Sequence, residues 1–461
     1  MLESSANFEH GLLVRMMGRN FYRQGPKLET GKRHISTGDP KTDWYCSLLP
    51  GGLTNQWTGA VPRFAPEDFT DGERLHEKYR WPITYQEIEP YYACSEKLLD
   101  ITADSKDMPN LPAGYAAYQH KLPDDWQLVA KYAALRGQSL TTLPLADGPP
   151  WMFVRRGTAF NSYTNIVQPL LKSPHFEIKF GAHALRLEWS GQKKRAEAVV
   201  YHDRADGTER RLEAAAIVVA CGALNSTKLL FNSACNDFPE GLGNSEGLLG
   251  HYLHDHPREW WVFDVEKPIS LLSPSAYLTR IPHAECAPLM GTSWTLGVVT
   301  VKDKIMSRFS LKGTSVGVQV FGTMVPTENQ LVKLAREKKD EFGQPILDIC
   351  VQYTNQEIDN MVQSRERLIS IMNEAGHKAT IREVAPQLHP GSSVHYGGSV
   401  RMHASPKYGV LDAWNRLFDV PNVHVCDSSC FTTGGEKNPV NTSMAISARA
   451  ADRLSDDLKR G

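Results

Sequence analysis

The stretch from Ala214 to Leu230 constrains the fold of this chain more than any other. Residues 214–220 form an uninterrupted apolar run, which is typical of a strand buried on both faces. Cys221 and Gly222 follow, and then a segment of helical character. A buried strand, a glycine and a helix N-terminus in this order suit a phosphate or nucleotide contact. A turn that serves packing alone is an equally good interpretation of the same residues.

A second strand and helix close the chain. Residues 423–427 read as a short apolar strand, and the final helix is predicted to begin with Asn438 as N-cap and Pro439 at its first position. Its free backbone N–H groups at 440–442 would stabilise an anion, such as the electron-rich edge of a reduced ring. Ligand groups beside a helix N-terminus, at the carboxyl end of a strand, mark the place where open α/β sheets bind cofactors.

His395 is the first candidate for proton transfer. Gly397 and Gly398 follow it, so a ligand could approach the backbone beside an imidazole whose ordinary pKa suits proton abstraction at neutral pH. Asn438 is a second polar side chain that could handle a proton at the same crossing. A lone histidine is more commonly a buried loop residue with satisfied hydrogen bonds. A catalytic role therefore depends on further matches along the chain.

Another candidate ligand contact lies early in the chain. Gly51 and Gly52 allow the backbone to run against a bulky group, and Trp57 supplies a flat wall. A glycine turn beside a core tryptophan is the simpler interpretation of these residues.

The remaining patterns predict an α/β part and an α+β part. Alternation predicts strands at 176–180, 184–189 and 196–201, and helical spacing predicts helices at 84–99 and 162–171. Strand-like runs at 260–263, 295–301, 316–320 and 346–351 lack helices between them, and a helix at 355–375 follows. These runs predict an antiparallel sheet in a second domain.

Composition excludes several classes of partner. The chain has 51 lysines and arginines against 52 acidic residues, so no net charge attracts a nucleic acid. Its eight cysteines show no disulfide or zinc spacing, and no apolar run is long enough for a membrane span. The glycines of 241–247 lack a preceding strand, and the histidines of 251–256 fit no standard zinc spacing, so neither a dinucleotide fingerprint nor a metal site is expected there. We expect a cytoplasmic protein whose partner is a small molecule or another protein.

Several motifs in sequence order resemble those of the glucose-methanol-choline (GMC) flavoprotein oxidoreductases, and among these the pyranose oxidase branch. They cover most of the chain and comprise residues 51–64, 217–222, 249–256, 325–331 with 339–345, 395–402, 427–429 and 438–444.

The resemblance implies an FAD enzyme that oxidises the CH–OH group of a sugar or glycoside to a ketone. His395 matches the family's base, which takes the hydroxyl proton while the hydride passes to flavin N5, and Asn438 matches its hydrogen-bonding partner. Oxygen or a quinone would be the electron acceptor, and a homo-oligomer is possible. The implied cofactor contacts are Gly51, Gly52, Thr54, Gln56, Trp57, Thr58, Ala184, Gly222, Asp427, Ser428, Pro439 and Thr442.

The implied architecture has two discontinuous domains. Residues 1–64, 165–258 and 390–461 would form a Rossmann-like FAD-binding domain that lacks its N-terminal βαβ unit. Residues 65–164 and 259–389 would form a substrate-binding domain around the antiparallel sheet.

Two departures from the family pattern matter. Gln56 stands where pyranose oxidases carry the histidine that anchors flavin, so the resemblance implies noncovalent FAD. The family's opening Gly-x-Gly-x-x-Gly unit is not found in this sequence, which implies a truncated chain or a relative with impaired cofactor binding. Truncation is favoured because the distal site residues match. The alternatives are an inactive remnant and a GMC alcohol oxidoreductase with a non-sugar substrate.

Overall fold

The computed structural model describes residues 34–460 with gaps at 43, 56, 105, 123, 147–159, 271–275, 300–311 and 385–388. Gln56, one of the predicted cofactor contacts, lies outside the described residues. The strands are β1 His34–Ser36, β2 Thr102–Ala103, β3 Tyr118–Gln119, β4 Leu140–Thr142, β5 Ala182–Ser190, β6 Arg195–Asp203, β7 Thr208–Glu213, β8 Ile217–Val219, β9 Arg258–Ser270, β10 Ala276–Leu278, β11 Thr292–Val299, β12 Lys312–Gly322, β13 Leu331–Lys339, β14 Pro345–Cys350, β15 Thr380–Val384 and β16 Val423–Val425.

The helices begin where the sequence supplies caps. In the helix at 85–99 the Thr84 hydroxyl accepts a hydrogen bond from the Glu87 backbone, and the Glu87 side chain bonds back to Thr84. Thr354 and Glu357 form the same capping box on the helix at 355–374. The α-helices are α1 Pro66–Thr70, α2 Tyr85–Leu99, α3 Gln127–Ala134, α4 Gln168–Leu170, α5 Ala223–Asn232, α6 Asn355–Glu374 and α7 Val440–Arg460, and a π-helical turn at Tyr163–Val167 precedes α4.

An antiparallel sheet of six strands forms one half of the structure. Its order is β15-β9-β12-β11-β10-β4, and every neighbouring pair is antiparallel. Alternate residues of β9 and β12, including Trp261, Phe263 and Val318, pack with Leu368 of α6 into one core. The predicted antiparallel sheet is therefore present, and strand β4 from the first third of the chain joins its edge.

The other half is built on two short parallel strands, β8 and β16. Ile217 and Val423 of these strands share a core with Leu230 of α5, Ile446 of α7 and Tyr92 of α2. An antiparallel sheet, β5-β6-β7, lies in the same half, since Leu187 and Ala196 belong to this core. Both strand-to-helix connections predicted from the sequence, β8 to α5 and β16 to α7, are confirmed.

Some local predictions are wrong. Residues 176–180 are not a strand, because Phe180 is exposed and the segment has no buried face. Val218 is 49% exposed, so the run at 214–220 is buried on only one face. Residues 346–350 belong to a separate sheet, β1-β14-β13, because β1 from a distant part of the chain pairs with them.

The start of the final helix also differs from the prediction. The Pro439 carbonyl accepts the first intrahelical hydrogen bond, from the Ser443 N–H at 2.8 Å. Pro439 is therefore the N-cap by backbone geometry, and Asn438 precedes the helix with its side chain directed elsewhere.

Along the described part of the chain, no helix has both the length and the apolar character that crossing a membrane requires.

Candidate functional site

His395 and Asn438 are brought into contact by the fold, although 43 positions separate them. The Asn438 amide nitrogen lies 3.1 Å from His395 Nε2. An amide nitrogen can only donate, so Nε2 is unprotonated and accepts this bond with its lone pair, while Nδ1 carries the imidazole proton. The predicted pair is thus assembled with the basic nitrogen toward Asn438.

The imidazole of His395 lies between two other rings. The His256 ring is 5.0 Å away and nearly perpendicular to it, and the Phe321 ring, at the end of β12, is also 5.0 Å away. His395 Nδ1 is buried and has no hydrogen-bond partner among the described residues. Ring contacts on two sides and the Asn438 bond at Nε2 thus hold the imidazole in place.

Burial, together with the nearby His256 and Arg258, lowers the pKa of His395 well below its ordinary value of 6.5. The buried His254 has a pKa lowered to about 4, mainly by burial. Its Nδ1 donates to the Tyr252 carbonyl at 3.0 Å, and its Nε2 has no described partner. Both histidines are therefore neutral at neutral pH. For His395 this is the protonation state that a general base needs.

Asp255 holds the loop that carries His395, and the sequence interpretation missed it. Its carboxylate accepts hydrogen bonds from the backbone N–H groups of Gly391 at 2.8 Å, Ser393 at 3.3 Å and His395 at 3.0 Å. The Ser393 hydroxyl also donates to it. Asp255 is the only acid in residues 249–256, and this isolated carboxylate was the signal available in the sequence.

The loop also requires glycine after His395. A Cβ on Gly397 would lie 2.5 Å from His254 Nε2, and one on Gly398 would lie 2.1 Å from the Tyr252 carbonyl oxygen. Gly398 has φ +77°, a left-handed conformation that disfavours side chains. These two glycines let the His395 loop pack directly on the 252–254 backbone, so their role in this structure is close packing of the chain on itself.

The histidines of 251–256 are accounted for by packing. His254 Nδ1 bonds to the Tyr252 carbonyl oxygen, and His256 Nδ1 bonds to the Gly322 carbonyl oxygen at 2.9 Å. Among the described residues, no group of His, Cys, Asp and Glu side chains is arranged to hold a metal ion.

Asp427 and Gly222 meet at the carboxyl ends of the parallel strands. Asp427 Oδ2 accepts from the Gly222 N–H at 3.1 Å and from the Ser226 hydroxyl at 2.5 Å. Gly222 has φ +80°, and apart from its own chain neighbours no atom of the described residues lies within 4 Å of where a Cβ would stand. The fold thus joins two predicted contacts and leaves open space beside the glycine.

Ser428 links this region to the His395 loop. Its hydroxyl donates to the Tyr396 carbonyl at 2.5 Å, and its own carbonyl accepts from the Gly398 N–H at 3.3 Å. Thr442, in the first turn of α7, is buried and lies 2.7 Å from the Tyr92 hydroxyl. Asp427 and Ser428 therefore connect Gly222 to the His395 loop, whereas Thr442 contacts α2.

The Gly51 loop contacts residues 160–162. Gly51 and Gly52 have φ +92° and +52°, the Thr54 hydroxyl lies 3.1 Å from Ser162 Oγ, and the Trp57 indole donates to the Phe160 carbonyl at 2.6 Å. Thr58 is half-buried. The end of this stretch approaches α7, because the Asn441 side chain donates to the Val61 carbonyl at 3.3 Å.

Ala184 lies away from these contacts. It sits in β5 opposite Tyr201 of β6, partly buried against the core.

The chain is similar in sequence to a known family of oxidoreductases. Two sequence profiles, both described as GMC oxidoreductase, match residues 145–258 and 326–447, together just over half of the chain. The chain is 26% identical over 453 residues to 2-methyl-1,2-propanediol dehydrogenase from Mycolicibacterium austroafricanum, covering 88% of this chain and 80% of that protein. It is 24% identical over 476 residues to the fructose dehydrogenase large subunit from Gluconobacter japonicus, covering 93% and 84%.

Among solved structures, pyridoxine 4-oxidase from Mesorbium loti superposes with a TM-score of 0.66 and 16% identity, over 97% of this chain and 92% of that one. At this identity the likeness concerns the fold alone, a mixed α/β architecture with antiparallel sheets. The assignment of the chain to a family rests on the two sequence profiles. The chain belongs to the GMC oxidoreductase family of flavoproteins, whose cofactor is FAD.

Proposed function

We propose that the chain oxidises a CH–OH group of a sugar or glycoside to a ketone, with His395 as the base that removes the hydroxyl proton. The observation that carries the proposal is the 3.1 Å contact between the Asn438 amide nitrogen and His395 Nε2, beside the rings of His256 and Phe321. A neutral imidazole whose tautomer leaves Nε2 unprotonated is the form that a general base needs.

The surroundings of His395 support this role in two ways. The Asp255 carboxylate fixes its backbone, and the rings of His256 and Phe321 restrict the orientation of the imidazole. Asn438 offers a donor beside Nε2, where it can also hydrogen-bond the oxygen of a substrate hydroxyl. The substrate alcohol would therefore meet both side chains from one side.

The residues present fit FAD. The open side of Gly222 and the Asp427 carboxylate, which follows β16, adjoin each other at the carboxyl ends of the two parallel strands, where open α/β sheets bind cofactors. FAD, when bound, supplies the hydride acceptor at N5. We propose noncovalent FAD, on the ground of Gln56, and the contact residues Gly51, Gly52, Thr54, Gln56, Trp57, Thr58, Ala184, Gly222, Asp427, Ser428, Pro439 and Thr442.

We also propose that the six-stranded sheet forms the substrate wall. Phe321, in its strand β12, contacts the His395 ring, so this sheet reaches the base directly. The division into an FAD-binding domain (1–64, 165–258 and 390–461) and a substrate-binding domain (65–164 and 259–389) remains part of the proposal.

The substrate class is supported by the fructose dehydrogenase relative, whose name specifies a sugar. The 2-methyl-1,2-propanediol dehydrogenase relative favours a second candidate, a small non-sugar alcohol. Both candidates need the same base and differ only in what the substrate wall accepts.

Anaerobic mixing of the purified protein with a panel of sugars, glycosides and short diols tests the proposal. We expect bleaching of the flavin absorbance by a sugar or glycoside, and reoxidation by oxygen or a quinone dye. Bleaching by diols alone would select the second candidate. A preparation that carries FAD but is reduced by no alcohol would contradict both and point to an inactive relative.

The pH profile provides a separate prediction. Since the pKa of His395 lies well below 6.5, the base stays unprotonated through the neutral range, and kcat/KM should be flat from about pH 8 to about pH 6. Activity should fall only at more acidic pH, as Nε2 becomes protonated. Stopped-flow flavin reduction across this range measures it, with circular dichroism as a control, because protonation of His254 in the unfolded chain also lowers stability below about pH 6.5. An acid limb with its midpoint at or above 6.5 would contradict the prediction.

A further inference from the structure

A group of charged side chains is buried directly beside Asn438. Its members come from α1 and the turn after it, from the end of β10, and from the segment that precedes Asn438. Each is 2% exposed or less: Asp68, Asp71, Arg280, Glu436 and Lys437. We call this group the buried ionic cluster.

Lys437 is the centre of the cluster. Its Nζ lies 2.6 Å from Asp68 Oδ2 and 2.8 Å from Glu436 Oε1. Burial alone would lower the pKa of Lys437, but the two carboxylates raise it above its ordinary value, so the side chain is charged. Lys437 is adjacent to Asn438 in the chain, and its position therefore fixes the backbone from which the Asn438 side chain extends.

The cluster also joins this segment to the six-stranded sheet. Arg280, which follows β10, has its Nη1 3.6 Å from Asp68 Oδ1, 3.6 Å from Asp71 Oδ2 and 3.7 Å from Glu436 Oε2. The Ser293 hydroxyl of β11 donates to the Glu436 carbonyl at 2.8 Å. Residues 436–438 are thus held between α1 and the proposed substrate wall.

Stability alone does not account for the cluster. Desolvating charges costs several kcal/mol per ion, on the order of what their mutual attraction returns, and apolar residues of similar volume often serve as well. Arg280 Nε and Nη2, Asp68 Oδ1 and Glu436 Oε2 also lack a hydrogen-bond partner within the described residues. Directional contacts, unlike apolar packing, specify where a backbone lies.

We infer that Lys437, through Asp68 and Glu436, positions Asn438 against His395 Nε2. This rests on the proposed function in that Asn438 and His395 are taken as the reacting pair. A hydrogen bond of 3.1 Å is lost if Asn438 shifts by about 1 Å, and a displacement of that size can cost on the order of 10²-fold in rate.

The test combines Asp68→Asn, Glu436→Gln and Lys437→Met, which removes these charges at nearly constant volume. We expect kcat to fall about 10- to 100-fold with KM changed by less than about threefold, because the substrate wall is kept. In an Asn438→Ala background the same substitutions should have little further effect, since the residue through which they act is gone. The 15N resonance of His395 Nε2 should shift in the triple variant as it does in Asn438→Ala.

A matched control is the buried pair of Lys228 and Asp340, whose charged atoms are 2.5 Å apart in another part of the molecule. Lys228→Met with Asp340→Asn should leave kcat and the His395 resonance unchanged. If the triple variant does not fold, Ser293→Ala removes the bond to the Glu436 carbonyl without touching the charged side chains, and a drop in kcat of about two- to fivefold with a smaller shift of the same resonance is expected.

Fully additive effects of the triple variant and Asn438→Ala, or an unshifted His395 resonance, would overturn the inference. If Asn438→Ala leaves kcat unchanged, the proposed function fails instead, and the His395 resonance alone then decides whether the cluster positions Asn438.

Discussion

Replacement of His395 by glutamine is expected to lower the rate of substrate-dependent flavin reduction by about 10²- to 10⁴-fold, the range that a positioned general base contributes. Glutamine retains much of the volume between His256 and Phe321 and can still hydrogen-bond to Asn438, but it cannot accept a proton at neutral pH. The effect should therefore fall on the chemical step, with flavin content unchanged.

Stopped-flow absorbance at the flavin band measures this rate, and the ratio of flavin to protein absorbance confirms that the cofactor is retained. A suitable control is His202→Gln in β6, a half-buried histidine whose ring meets the Phe342 ring edge-on and contacts none of the described site residues. Its rate should stay within about twofold of the parent, since substitutions away from functional contacts have small effects. Flavin reduction by His395→Gln at a rate near that of the control would remove His395 from the mechanism.

Replacement of Asp255 by alanine is expected to have the largest effect on stability, lowering the free energy of unfolding by about 3–5 kcal/mol. The substitution leaves the N–H groups of Gly391, Ser393 and His395 without their acceptor in a buried place. Asp255→Asn keeps one oxygen and should cost less than alanine. Activity should also fall, because Asp255 no longer holds the backbone of the loop that carries His395.

Urea denaturation followed by circular dichroism gives the unfolding free energies. The control is Asp237→Ala, an exposed aspartate that accepts a hydrogen bond from the Trp189 indole at 2.7 Å, and it should cost less than about 1 kcal/mol. Equal losses in the Asp237 and Asp255 variants would show that the Asp255 hydrogen bonds do not hold the loop. If Asp255→Ala is destabilised but has normal activity, Asp255 stabilises the fold without positioning His395.

The local signals in the sequence were reliable where neighbouring residues decide the structure. The capping box at Thr84 and the helix at 355–374 follow from contacts within one turn. The strand-to-helix turn at Gly222 follows from its positive φ, which glycine adopts without strain. The run at 346–350 was correctly a strand but was assigned to the wrong sheet, because its partner β1 lies more than 300 positions away.

The sequence by itself indicated the family and the order of the main helices and strands, and it predicted His395 and Asn438 as the reacting pair, because motifs and periodicity record what neighbouring residues do. Only the tertiary structure decided how the pair is held. Asp255 bonds to His395 across 140 positions, and Lys437 bonds to Asp68 across 369. Residue spacing carries no record of such contacts, since they arise when packing brings distant backbone segments into a common interior and leaves their polar groups no partner except one another.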